Sequence, residues 1–205
     1  MPRFTKKKWN TKYVKNSHNC YSYMLNKINK RYVKMCKRHM KKTKNAGCGF
    51  LKAQPGLYSG MKDVKNHKNY NCKVLNRRIL ADNKNMFKTK KKCPKKHYKG
   101  MLFIDPKKTY HFYRQDSDGL WSHKAGSDKT TRRDSRRRKI KNPKKSSRRY
   151  LPTKMESGVY YSRSCGTYCI PESKRKKFFS PFTRKKTSKA KRKTIKAKRK
   201  TIKRR

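Results

Sequence analysis

The sequence predicts an α+β fold, with N-terminal helices packed on a small antiparallel sheet between basic extensions. Three observations predict it. Apolar residues recur at helical spacing over roughly residues 20–83, whereas from Gly100 onward they alternate with polar ones or form short runs closed by turn residues. The aromatic residues, 13 Tyr, 8 Phe and 2 Trp, are too many for a wholly disordered chain. Only 31% of the 205 residues are hydrophobic, so the core they build is small.

Residues 1–17 read as a basic arm, with Lys6, Lys7 and Lys8 ahead of Trp9 and no apolar period. A helix is expected to begin at Cys20, capped by Ser17 or Asn19. Its inner face is Tyr21, Met24, Leu25, Ile28 and Tyr32, continuing through Met35, Cys36 and Met40. Asn45–Gly49 ends that helix, and Gln54-Pro55-Gly56 with Ser59-Gly60 reads as a loop of turns. A second helix is predicted over Tyr70–Asn83, with Cys72, Leu75, Ile79 and Leu80 inward.

Met101–Ile104 is an apolar strand closed by Asp105-Pro106. In the next segment Tyr110, Phe112 and Arg114 alternate with His111 and Tyr113. Asp116-Ser117-Asp118-Gly119 then supplies a hairpin turn before Leu120–Lys124. An arginine-rich loop, containing Arg136, Arg137 and Arg138, is expected over Ala125–Arg149. Gly158–Tyr161 resumes a strand ahead of Cys165–Cys169, which places the folded unit at residues 18–170. Residues 171–205 read as a disordered polycation in which Lys-Ala-Lys-Arg-Lys-Thr-Ile occurs at 189–195 and again at 196–202. Each copy holds only one bulky apolar residue among like charges, which excludes a coiled coil.

Charge restricts the partner. There are 66 Lys and Arg against 9 Asp and Glu, a formal charge of +57, and every acid lies between Asp63 and Glu172. Self-repulsion on that scale calls for a polyanion, nucleic acid by default and DNA before RNA. The phosphate-binding residues expected are Lys6, Lys7 and Lys8 in the arm, Arg136, Arg137 and Arg138 in the loop, and Lys191, Arg192, Lys193, Lys198, Arg199, Lys200, Arg204 and Arg205 in the tail. Such tails also serve as nuclear-targeting signals. Helix-turn-helix, zinc-finger and RNP patterns are missing, so binding is expected to ignore base sequence. No apolar stretch is long enough to cross a bilayer, and the first residues lack a secretory signal.

Seven cysteines without an export signal suggest mostly reduced thiols, with a Cys165–Cys169 pair open to oxidation inside a particle. Cys36, His39 and Cys48, with Cys165 and Cys169, have only weak zinc spacing, and no metal or other cofactor is expected. Asp116, Asp118, Asp128 and Asp134 read as turn acids and local ion pairs. Cys20 heads a helix in basic surroundings, where a thiolate is favoured. His111 on a strand would serve as its base and His123 would orient or replace that histidine. Core packing of all three is the competing reading.

The run Asn19-Cys20-Tyr21-Ser22-Tyr23, the Gln54-Pro55-Gly56 and Ser59-Gly60 turns, and Tyr110-His111-Phe112-Tyr113-Arg114-Gln115 through Trp121-Ser122-His123-Lys124 resemble papain-like cysteine hydrolases of the NlpC/P60 and CHAP kind. The likeness covers about residues 17–169. It implies a papain-like domain with Cys20 as nucleophile, His111 as base, and His123 or Asp134 as the orienting group, acting on a peptide or amide bond. The Gly-Asp and His-Val-Gly marks of those hydrolases are missing here. The tail resembles those of basic proteins packed in large DNA viruses, which implies a virion-interior protein made in the host cytoplasm. Three roles follow for such a chain: a nucleic-acid neutraliser, a cysteine hydrolase, or a minor structural component touching acidic virion proteins.

Overall fold

The computed structural model describes residues 1–44, 46–64, 70–106, 108–152 and 158–172. The segment expected as a loose arm is folded: α1 (Lys6–Trp9) and α2 (Lys12–Ser17) pack onto the body. Trp9 is buried edge-on to Tyr23, with ring centres 4.9 Å apart, and the Pro2 carbonyl accepts the Ser117 amide at 2.9 Å. Lys6, Lys7 and Lys8 therefore stand exposed on a short anchored helix.

Helix α3 (Cys20–Met24) starts where expected, because the Asn19 side chain accepts the Ser22 amide. Ser17 points elsewhere, donating to the Tyr13 carbonyl. The helix does not run on to Met40. Asn26 turns into the left-handed region at φ 51°, and Asn29 caps a new helix, α4 (Lys30–Lys42), by accepting the Arg31 and Tyr32 amides. Two asparagines thus interrupt an apolar period that otherwise continues through Tyr32, Cys36 and Met40, all buried. Helix α5 (Cys72–Asp82), capped by Asn71, matches the second predicted helix with Leu75 and Ile79 inward.

The strands are β1 (Phe87–Thr89), β2 (His97–Asp105), β3 (Thr109–Gln115), β4 (Trp121–His123), β5 (Arg149–Tyr150), β6 (Val159–Tyr160) and β7 (Arg163–Pro171). Five form an antiparallel sheet in the order β1-β7-β2-β3-β4, and β5 pairs with β6 separately. The β3–β4 hairpin closes at the predicted turn: Asp116 and Leu120 share a backbone bond of 2.8 Å, and Gly119 takes φ 81°. Strand β2 is covered on both faces. Leu102 and Ile104 meet Tyr21, Met24, Leu75 and Ile79, while Met101 and Phe103 meet Tyr113, Trp121, Ile140 and Tyr161. Gly100 is required at the first of these contacts, since a Cβ there would stand 2.6 Å from Ile170 and 2.8 Å from Met24. The arginine-rich loop is not free either: Ile140 is wholly buried and its carbonyl accepts the Trp121 amide at 2.9 Å.

The cysteine expectation is corrected. Cys36–Cys48, Cys72–Cys165 and Cys93–Cys169 are disulfides, and Cys20 is the free thiol. Cys165 and Cys169 cannot pair with one another, because residues four apart on a strand are separated by roughly 13 Å. The Cys36–Cys48 bond also removes the proposed zinc pair, and no metal-holding cluster occurs among the described residues. No helix among those residues is long and apolar enough to cross a membrane. Residues 173–205, including the duplicated heptapeptide and the tail cations from Lys191 to Arg205, lie outside the described residues.

Candidate functional site

Cys20 occupies the first turn of α3, packed against β3. Its thiol is buried among Tyr110, Phe112 and the other apolar side chains of the α3 face. Burial pushes the thiol up to about 11, opposed by a contact from the Phe112 amide and by the nearby Lys124 ammonium. The thiolate expected from the helix terminus is therefore disfavoured. A helix of five residues has little dipole to set against full desolvation.

His111 and His123 do meet. Nε2 of His111 lies 2.9 Å from Nδ1 of His123, and Nε2 of His123 lies 3.0 Å from the Arg133 carbonyl oxygen. The bond pattern assigns the protons: a carbonyl only accepts, so neutral His123 carries its proton on Nε2 and accepts at Nδ1. His111 must then donate from Nε2, which leaves its Nδ1 as the basic nitrogen. Burial lowers both imidazoles, His111 well below its ordinary value, and favours this neutral pair.

Cys20 is not joined to that pair by a hydrogen bond. Strand alternation puts the Tyr110 and Phe112 side chains in the cluster that holds Cys20, while the His111 ring stacks on Tyr161 at 5.1 Å and meets Tyr113 edge-on at 5.0 Å. The thiol reaches β3 at the Phe112 amide, one peptide beyond His111. Asp134, the other orienting residue considered, instead accepts the Arg136 and Arg138 amides on Oδ1 and the Ser147 amide on Oδ2. It shapes the turn that exposes Arg136, Arg137 and Arg138.

Sequence reasoning missed Lys124. Its side chain is fully buried, and Nζ donates to the carbonyls of Lys15 at 2.8 Å and Gly126 at 2.5 Å. Burial, then repulsion from Lys52, pulls it down to about 7, with Cys20 acting in the opposite direction. Lys52 is turned toward Ser127, 2.7 Å from its Oγ. The available signal was phase: if His123 faces one side of the sheet, the next residue faces the other.

Most of the acids are engaged by the chain's own donors. Asp82 accepts from Tyr21, Gly56 and Ser59, Asp105 from Tyr160, Asp116 from Arg114 and Arg132, Asp118 from Arg132, and Asp134 from its own turn. Glu172 pairs with the N-terminal ammonium. Six of the eight described carboxylates are thus engaged internally, while Lys6, Lys7, Lys8, Arg136, Arg137 and Arg138 face solvent. The chain matches no family model, no curated protein and no solved structure.

Proposed function

We propose that this protein binds nucleic acid, DNA before RNA, through its phosphates and without reading base sequence, as a charge-neutralising component of a virion interior. The observation that carries the reading is the engagement of six of the eight described carboxylates by the chain's own donors, which leaves a surface rich in unneutralised lysine and arginine on a chain of formal charge +57. Three disulfides fit a protein that ends in an oxidising particle rather than in reducing cytosol. The experiment is a titration of affinity for a random-sequence duplex against salt. A log–log slope of about −0.9 per phosphate neutralised is expected, with little change between sequences. A flat salt response refutes the reading.

A second reading, a cysteine hydrolase of papain-like type, is favoured by one observation: the His111–His123 bond leaves a basic nitrogen on a residue adjoining the peptide that contacts Cys20. It requires the buried thiol to move into contact with that nitrogen. Alkylation of Cys20 at neutral pH faster than a small free thiol, abolished by His111→Ala, selects this reading. A slower rate selects a binding protein built on the same fold.

A further inference from the structure

A groove of about 910 Å³ crosses the sheet from edge strand β1, over β7 and β2, to β4. Lys88, Lys90, Lys91, Lys99, Lys141 and Lys144 line it, and its lining holds no carboxylate. We propose that this groove is a binding site for the phosphodiester backbone of duplex DNA, resting on the nucleic-acid reading above and giving it a location distinct from Lys6, Lys7 and Lys8, from Arg136, Arg137 and Arg138, and from the tail cations.

Both walls are built. On one side, the Cys93–Cys169 disulfide ties the segment after β1, which bears Lys90 and Lys91, to the strand forming the floor. On the other, Arg148 donates to the carbonyls of Lys144 at 3.1 Å and Ser146 at 3.0 Å while lying 4.4 Å above the Phe103 ring, which pins the segment carrying Lys141 and Lys144. Gly166, at φ 130°, leaves room for Lys88 to lie across β7, because a Cβ there would stand 2.8 Å from the lysine Cε. Lysines clustered by composition alone would not need these fastenings.

The chemistry selects the occupant. A small carboxylate or single phosphate satisfies one or two ammonium groups, whereas six without a counter-charge call for a ligand with repeated anions. Lysine is a point charge without the planar fork of arginine, so it donates to phosphate oxygens in many orientations and imposes no base register. Trp121 lies in the floor but is only 4% exposed, which offers a flat base no face to stack on. Backbone, not bases, is what the groove meets.

The test uses the full chain, tail included, and a random-sequence duplex followed by anisotropy across salt. One variant carries Lys88, Lys90, Lys91, Lys141 and Lys144→Gln; the control carries Lys30, Lys34, Lys37, Lys41 and Lys42→Gln, five exposed lysines of α4. The groove variant is expected to lower the salt slope by up to about 4 and to weaken binding at least about tenfold more than the control. Equal losses overturn the site while leaving the nucleic-acid reading standing. A wild-type chain whose affinity ignores salt removes that reading itself. Lysine methylation followed by mass spectrometry gives a second readout: bound duplex is expected to protect the six groove lysines over those of α4. Uniform protection, or a single strand preferred over duplex by tenfold, also overturns the assignment.

Discussion

Arg114 and Asp116 form an ion pair of 2.8 Å in which neither side chain reaches solvent. The guanidinium also donates to the Tyr23 hydroxyl at 2.9 Å and to Asn26 at 3.2 Å, and lies 4.1 Å over the Tyr23 ring. The carboxylate takes a second cation, Arg132, at 3.2 Å. Through this pair the start of the chain, α3 and the β3–β4 hairpin are held to one another.

Arg114→Met strands a buried carboxylate with one remaining cation, and Asp116→Asn strands the guanidinium. Each is expected to destabilise the fold by about 3–5 kcal/mol, read from the urea midpoint. The double variant Arg114→Met with Asp116→Asn is expected to lose less than the two losses added, since neither member of the pair then leaves a buried charge behind and Arg132 keeps Asp118. Simple additivity would show that the pair is not the hub described.

Acid is expected to weaken the fold through its buried histidines. His18 accepts the Asn29 amide on Nε2 at 2.9 Å, and burial lowers it to about 4 from 6.5. The unfolded chain binds the proton first, so the stability this residue contributes is intact above about pH 6.5 and is lost as pH falls towards 4. The contribution is on the order of 3 kcal/mol. His111 and His123 shift in the same direction. Calorimetry from pH 8 to 4 should show a falling melting temperature, less steep in His18→Gln; parallel curves for the two proteins would contradict this account.

The thiol of Cys20 is expected to resist alkylation in the native state at pH 7 and to react once the chain is unfolded. With its value pushed up to about 11, the folded state holds the proton more tightly than the unfolded one. Its contribution to stability is therefore complete below about pH 9 and declines as pH rises towards 11. In denaturant without reductant, mass spectrometry should count one alkylated cysteine, rising to seven after reduction. Any other count without reductant contradicts the pairing found here.

Cys93→Ser with Cys169→Ser opens a loop whose ends are 76 residues apart. Chain entropy alone assigns that link about 4 kcal/mol. The variant is expected to melt lower and, with the segment bearing Lys90 and Lys91 released, to show a shallower salt slope for duplex binding. An unchanged slope would mean that the disulfide does not organise the groove.

Elements written in local chemistry were legible. The Asp-Ser-Asp-Gly turn between period-two segments placed the β3–β4 hairpin, Asn19 placed the start of α3, and the spacing of Cys72, Leu75 and Ile79 placed α5. The break at Asn26 was missed because the apolar period of Tyr32, Cys36 and Met40 continues across it. Cys20, His111 and His123 stood out by residue type, and the approach of the two histidines followed from adjacent strands, but the environment of the thiol did not. A basic surrounding and a helix start suggested a lowered value; complete burial, which depends on residues far along the chain, reversed it.

By itself, the sequence determined the α+β class, the start of α3, the place of α5, the hairpin and the great excess of positive charge, because each depends on neighbouring residues or on composition. Tertiary structure decided the rest: the anchoring of Trp9 on Tyr23, the insertion of β7 between β1 and β2, the partners of six cysteines, the burial of Lys124, and the gathering of lysines from three segments into one groove. Those contacts join residues tens of positions apart, and what selects them is the joint burial of surfaces that no local window of the chain contains.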